Sequence, residues 1–426
     1  MIVRGVSMFR KLLSLEDAKS RIAEVFSPKP LGAEEVPLSE AAGRVLAEDV
    51  ISPIDVPPFS RSTVDGYAVK AADTFGAEEN KPAALKIVGS VAVGAVSKIS
   101  VRRSETAVIV TGAPLPRGAD SVVMLEDASE KAGKIFVYKA VARGENMMQQ
   151  GSDIHKSEVV LKRGSIVASR ESGVLAALGF VEARVFKRPK VAIVSTGAEI
   201  VEPGQPLPAG KVYDINTYTL TAATLECGGQ PIGFGIVKDD DVELLKTTLR
   251  KALREADVVI TSGGVSVGPK DVLPKVLNEL GKPGVIVHGV AVKPGKPVAV
   301  AIVGGKPVFS LPGHPTSSLL MFHLLIRPLL LKVAGRKEEQ SPMTAKALSK
   351  EKLFSARGRR TFVMVTLTRD SAGRLWASQV PKSESGAITT LAKANGYVEL
   401  RETQQFVEED EEVTVFLFKP LADSTT

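Results

Sequence analysis

Residues 257–268 read DVVITSGGVSVG, and the same pattern occurs at 190–199 (KVAIVSTGAE) and at 306–318 (KPVFSLPGHPTSS). Each is an apolar, β-branched run that ends in glycines and hydroxyl residues. An apolar run without alternation is the mark of a strand buried on both faces, as in a parallel sheet covered by helices. The intervening segments complete the alternation. Asn216–Cys227 reads as a helix stopped by Gly228-Gly229, and Ile232–Val237 as a strand. Asp240–Glu255 reads as a helix with Leu244/Leu245, Thr248/Leu249 and Ala252/Leu253 on one face and a cap at Asp240. Helix Val272–Leu280 and strands Val285–Val292 and Val298–Val303 follow, and helix Pro315–Ala334 closes the unit. Strand–helix alternation over this length specifies a doubly wound α/β domain, placed at 188–336.

Outward from this domain the patterns change. Leu15, Ala18, Ile22 and Val25/Phe26 fall on one helical face behind a capping Ser14. Leu38–Asp49 reads as a second helical patch, and Ser169–Gly179 as a helix capped by Ser169. These imply a helical subdomain built from 8–50 with 146–187. Between them, 51–145 holds short apolar runs separated by Gly, Pro and charged turns, a β-rich subdomain. After residue 340 the helices stop. In Phe362–Thr368, Val363, Val365 and Leu367 alternate with Met364, Thr366 and Thr368, so 340–426 reads as an antiparallel β domain, a barrel. The fold class is therefore multidomain α/β plus β.

Composition removes several function classes. The chain has 426 residues, 44% hydrophobic and 24% charged, ordinary for folded domains. With the single cysteine Cys227, no intrachain disulfide or cysteine zinc cluster can form. The four histidines, His155, His288, His314 and His323, show no HxxxH pair, so any catalytic metal must sit on carboxylate oxygens, which favours magnesium. A net charge of +7 with 5% aromatics gives little material for stacking on bases, so no nucleic-acid partner is expected. The basic clusters at 187–190 and 357–360 read as solvated surface. No secretory or membrane-spanning segment is apparent: Leu319–Val333 is interrupted by His323, Arg327, Pro328 and Lys332. The expected location is cytoplasmic.

Ligands of open α/β sheets bind at the carboxyl ends of strands. Three small-residue loops share that edge: Thr196-Gly197-Ala198-Glu199, Gly263–Gly268, and Pro312-Gly313-His314-Pro315-Thr316-Ser317-Ser318. Glycine loops let backbone N–H groups approach an anion, and helix N-termini add a favourable dipole. Neither GxGxxG with a downstream acid nor GxxxxGK[ST] is present. Lys293-Pro294-Gly295-Lys296-Pro297 adds two ammonium groups on a stiff turn. Asp65, Asp153, Glu199, Asp214 and Asp271 recur in loops. Each has a plain structural alternative: Asp65 as a turn former, Asp214 and Asp271 as helix caps. As a set beside phosphate loops and lysines they suit magnesium-assisted attack on a phosphoanhydride.

The chain resembles the molybdopterin molybdenumtransferases, relatives of the C-terminal domain of gephyrin. The resemblance is carried by Pro57-Pro58-Phe59, Asp65-Gly66-Tyr67-Ala68-Val69, Thr111-Gly112-Ala113-Pro114 and Gly151-Ser152-Asp153-Ile154. It continues through Ser195–Glu199, Tyr213-Asp214-Ile215-Asn216, Thr261–Gly268, Lys293–Pro297 and Leu311–Pro315. It implies insertion of molybdate into adenylylated molybdopterin, with magnesium, releasing AMP and molybdenum cofactor. A molybdopterin adenylyltransferase would supply the substrate. It also implies an elongated homodimer with the active site at the subunit interface, where the Asp65, Thr111 and Asp153 regions reach the partner's glycine loops. Gly263, Gly264, Ser266 and the loop Pro312, Gly313, His314, Pro315 and Ser317 would bind the pterin phosphate, with Thr196, Gly197 and Asp214 completing the substrate site. Glu199 and Asp271 would place the metal and the anhydride; Lys293 and Lys296 would hold the oxyanion. His314 stands where many members carry Asn, with phosphate contact and helix capping both open. Ser60, Arg61 and Pro269-Lys270 also depart from the pattern, which leaves tungstate as a possible substrate. A molybdopterin adenylyltransferase and a non-enzymatic pterin-binding scaffold are the other readings.

Overall fold

A computed structural model describes residues 12–238, 241–265, 272–336, 342–381 and 386–421. The chain forms two compact units. One comprises the chain up to Glu34, Gly43–Ala47 and everything from Arg184; the other comprises Glu35–Ala42 and Glu48–Ala183.

The first unit is built on a six-stranded sheet. Strands Gln230–Val237, Lys190–Thr196, Val258–Ser262 and Lys306–Leu311 lie side by side in parallel. Ala299–Val303 and Pro283–His288 extend it antiparallel. Successive residues of the central strands enter opposite cores, as the two-residue period of a strand requires. Val191, Ile193, Val258, Ile260 and Phe309 pack against Leu220 and Ala223 of helix Asn216–Glu226 and against the long helix after Pro315. Ala192, Val194, Val259 and Val308 pack against Leu245, Leu249 and Ala252 of helix Val242–Glu255 and against Val276 and Leu277. The doubly wound expectation thus holds, with an antiparallel edge added.

Several local expectations change. The cap of helix Val242–Glu255 is Asp241, whose Oδ1 accepts from the Leu244 amide at 2.9 Å; Asp240 lies outside the described residues. Helix Ser169–Ala177 starts behind Ala168, whose amide donates to Glu171, so Ser169 is the first helical residue and not the cap. Residues 38–49 are not a helix: Leu38–Glu40 makes one 3-10 turn, Gly43 takes φ +75°, and Leu46 pairs with Val185 as a β-bridge. Helix Leu15–Val25 forms as expected, with the Asp17 amide donating to Ser14 Oγ at 3.0 Å. Its buried face, Leu15, Ala18 and Ile22, joins the α/β core and not the 146–187 segment that the sequence pattern suggests. The helix after Pro315 passes through a π turn at Phe322–Ile326 before Arg327–Val333. Pro328 lacks the N–H that would continue the ladder, and a widened turn accommodates it. Pro315–Val333 is long and apolar enough to cross a membrane, but 67% of that window is buried in the protein core.

The C-terminal strands Arg360–Arg369, Leu375–Gln379, Thr344–Ser349, Glu412–Leu417 and Gly396–Leu400 close into a five-stranded barrel through the pairing of the first and last. The alternation in Phe362–Thr368 is used fully. Val363, Val365 and Leu367 fill the barrel, while Phe362 and Met364 enter the α/β core.

The second unit contains a six-stranded sheet in the order Ser121–Met124, Gly66–Val69, Glu105–Ile109, Ala83–Val91, Lys134–Val137, Ala128–Lys131. Separate apolar clusters cover its faces: Tyr67, Val69, Val123 and Ile135 on one, Ala68, Ala107, Ile109 and Val122 on the other.

Candidate active site

The three small-residue loops leave neighbouring parallel strands at one sheet edge. They line a cavity of about 890 Å³ with Thr196, Glu199, Asp214, Gly263, Gly264, Pro312, Gly313, His314 and Pro315 around it. Gly263 is what lets the loops approach. It takes φ +96°, its amide donates to the Leu311 carbonyl at 3.0 Å, and a Cβ there would strike the Thr196 carbonyl oxygen. Gly197, at φ +154°, leaves no room for a Cβ beside the Glu199 carboxylate and Ile200. The Thr196 hydroxyl donates to the Ser262 carbonyl at 3.2 Å, so its hydrogen serves the fold.

The two carboxylates of this cavity differ. Asp214 is 5% exposed and its oxygens accept from the Thr217 amide at 3.0 Å and the Thr217 hydroxyl at 2.6 Å. Its first role is to hold the start of helix Asn216–Glu226. Glu199 is exposed, and its backbone accepts from the Val212 amide at 2.9 Å. Ser266 and Asp271 lie outside the described residues. Among the described residues, no three of His, Cys, Asp and Glu converge as a metal cage.

A second cavity, of about 710 Å³, opens between the α/β domain and the barrel and shares Pro297, Pro312 and His314 with the first. Lys293, Lys296, Ser317 and Arg359 line it. The register explains the gathering: Val292–Lys293 pairs in parallel with Arg360–Thr361, so the lysine turn runs beside the entry of the barrel's first long strand. Gly295, at φ +109°, lies where a Cβ would meet the Met321 side chain, which seats the turn on the helix after Pro315. His314 occupies the cap position of that helix with no side-chain capping bond; the Ser318 amide donates to its carbonyl at 2.9 Å. It caps the helix through its backbone, and it lines both cavities.

In the second unit, Asp65 and Thr111 meet directly. The Thr111 amide and hydroxyl donate to Asp65 Oδ1 at 2.7 and 2.9 Å, and these bonds hold the carboxyl below the usual range for Asp. Gly66 pairs opposite Ile109, so the two residues leave adjacent antiparallel strands at the same end. Gly66 is required there because a Cβ would strike the Val123 carbonyl. The Asp153 amide donates to Val56 at 3.0 Å, Ser62 exchanges backbone bonds with Gly112 and Ala113, and Thr63 bonds Asn146. The segments carrying Pro57–Phe59, Thr111–Pro114 and Gly151–Ile154 are thus laced into one loop cluster.

Three site features have no assigned role in the sequence reading. Asn216 is 5% exposed; its Nδ2 donates to Ser262 Oγ at 2.6 Å and to the Gly313 carbonyl at 2.7 Å, tying two of the cavity loops, and its buried Oδ1 has no partner. Asp55 accepts from the Lys156 amide and Gln150 Nε2, which lower its pKa. Arg359 belongs to a basic cluster read as solvated surface, yet it lines the lysine cavity. Its neighbour Arg360 is only 16% exposed and pairs with Glu16, Glu399 and Glu402. Charge runs carry no information about burial; only the barrel register separates these two arginines.

Comparison with known proteins agrees with this arrangement. Residues 13–179 match the MoeA N-terminal region (domains I and II), 192–332 a probable molybdopterin-binding domain, and 346–418 the MoeA C-terminal region (domain IV). The molybdopterin molybdenumtransferase of Haemophilus influenzae is 33% identical over 96% of this chain and all of its own length. The chain belongs to the molybdopterin molybdenumtransferase (MoeA) family. A putative molybdopterin biosynthesis protein from Methanocaldococcus jannaschii is 33% identical over 97% of the chain and its own full length. A crystal structure of a MoeA protein from Pyrococcus horikoshii superposes with a TM-score of 0.85 at 44% identity, covering 96% of this chain and 100% of that one. The three matched regions follow one another along the chain in the order N-terminal region, molybdopterin-binding domain, C-terminal region.

Proposed function

We propose that this protein inserts molybdate into adenylylated molybdopterin, releasing AMP and molybdenum cofactor. The observation that carries this reading is the pair of cavities that meet at Pro312 and His314. One is an anion-accepting edge of glycine loops and the other a pocket lined by Lys293, Lys296 and Arg359. A phosphoanhydride and a tetrahedral oxyanion placed in the two would face each other across this wall.

Each residue group then has a task. The loops at Gly263-Gly264 and Pro312–Ser317 bind the pterin phosphate through backbone groups and small side chains. Lys293, Lys296 and Arg359 hold the oxyanion and balance charge that develops as the anhydride opens. Asn216 fixes the spacing of the two phosphate loops through Ser262 and Gly313. The donor set suits magnesium, which binds through one or two carboxylates and takes its remaining ligands from phosphates and water. Glu199 is the exposed carboxylate on the cavity, with Asp271 expected to join it. Bound there, magnesium would neutralise negative charge on the anhydride oxygens.

The protein works as a cytoplasmic homodimer in this reading, and the Asp65–Thr111–Asp153 cluster of one subunit serves the glycine loops of the other. Support comes from the partition of the chemistry-bearing residues between two compact units. The upstream partner is a molybdopterin adenylyltransferase. The test is AMP release from adenylylated molybdopterin with magnesium, with and without molybdate, and with tungstate in its place. Molybdate-stimulated release supports the assignment, tungstate-selective release changes the metal, and tight binding without release under either oxyanion overturns it.

A further inference from the structure

A third cavity, of about 420 Å³, lies on the far side of the two helices whose starts border the substrate site. Helix Pro315–Met321 gives Pro315 to the substrate cavity and Thr316, Leu319 and Leu320 to this one. The helix Ile388–Lys393 likewise gives Ile388 to the first and Thr390–Lys393 to the second. Apart from Thr316, at the end of the Pro312–Ser317 loop, the proposed reaction uses none of the residues around this third space.

Its walls mix apolar and polar side chains, as those of small-molecule sites do. Met364 and Leu391 form one side, and the rings of His323 and Phe418 another, their centroids 5.7 Å apart. A thioether beside two rings suits a planar aromatic guest. Three polar side chains stand in these walls. Thr316 and Thr390 are 4% and 1% exposed, and the hydroxyl oxygen of each lacks a hydrogen-bond partner. The His323 imidazole, set on the π turn, makes ring contacts with Phe322 and Phe418, and burial lowers its pKa to about 4, so it is a neutral donor and acceptor. At the rim stand Lys393, Lys419 and Glu226, all exposed; neither lysine forms an ion pair among the described residues. The rim therefore carries an excess of one positive charge.

We infer that this cavity is a second ligand site, for a small planar aromatic anion whose ring enters between Phe418, His323 and Met364 and whose charge rests at Lys393 and Lys419. The neutral imidazole can meet a polar atom on the ring, and the lysines select the anion over a neutral analogue.

The test uses the full-length protein labelled with [methyl-13C]methionine. Met364 reports on this cavity, and Met321, beneath Gly295, reports on the neighbourhood of the lysine turn. The probes are 2-naphthoate, its neutral counterpart 2-naphthylmethanol, and inorganic phosphate. The inference expects 2-naphthoate to move the Met364 methyl resonance in a saturable manner while Met321 stays in place. Binding should weaken about tenfold for the neutral probe and for the Lys393→Glu, Lys419→Glu double variant. It should vanish in Ala222→Trp, where an exposed lining residue becomes a plug. Unchanged methyl resonances outside the cavity establish that each variant is folded. A Met364 resonance that stays fixed at millimolar 2-naphthoate overturns the inference, as does binding that survives the plug. Equal affinity for the neutral probe, or an equal response to phosphate alone, overturns the aromatic-anion assignment.

Discussion

At the residue scale, the glycine loops and the Asp65–Thr111 pair carry the most specific expectations. Gly263 sits at φ +96° against the Thr196 carbonyl. Gly263→Ala must open two strand-end loops, costing about 1–3 kcal/mol. Thermal unfolding should show a lower midpoint; an unchanged midpoint contradicts the close approach described for this loop. For Asp65, folding lowers the carboxyl pKa through two bonds from Thr111. The sign follows from linkage: the stabilising contribution is present above the unfolded pKa and is lost as pH falls through the lowered folded value. Thr111→Val removes the hydroxyl donor and leaves the amide. A 13C titration of the Asp65 carboxyl should then give a higher midpoint, still below that of an unfolded Asp. A midpoint identical to wild type would mean that the hydroxyl plays no part.

At the scale of elements, what the sequence made legible was whatever rests on an uninterrupted pattern. The buried strands at 190–196, 258–262 and 306–311 and the amphipathic helix at 242–255 have periods that only one environment satisfies. Leu249, fully buried on that helix, should cost about 2–5 kcal/mol as Leu249→Ala in denaturant unfolding. The 38–49 segment misled because Ala41, Val45 and Leu46 are indeed buried at near-helical spacing, yet Gly43 turns the chain and the backbone at 46–47 bonds residues 184–185. Burial without local hydrogen bonding is invisible to a periodicity argument. The same limit hid the destination of helix Leu15–Val25. Its stripe was plain, but only the fold supplies the sheet face it covers and the Glu16–Arg360 ion pair that ties it to the barrel. Arg360→Ala leaves three carboxylates without their cation. It should lower stability by about 1–2 kcal/mol, read as a shift in unfolding midpoint that added salt diminishes. A shift of the same size at every salt concentration would point to lost packing instead.

At the scale of the whole molecule, candidate residues were readable in sequence but their grouping was not. Asp65 and Thr111 are 46 residues apart and meet because two antiparallel strands end together. Lys293 and Arg359 line one cavity because the strand at 292–293 runs beside the barrel entry. The fold sorts these residues into two units: the glycine loops and lysines in one, the Asp65 cluster in the other. In the proposed reaction a complete site needs both, taken from different subunits of a homodimer, and subunit mixing tests this. Asp65→Ala and Lys293→Ala are each expected to abolish molybdate-dependent AMP release. In a mixed dimer of the two, one composite site carries both changes and the other carries neither. Dissociating and reassociating equal amounts should restore about one quarter of wild-type turnover, since about half the dimers are mixed and half their sites intact. Mixing that restores nothing, although mixed dimers form, contradicts a site shared between subunits.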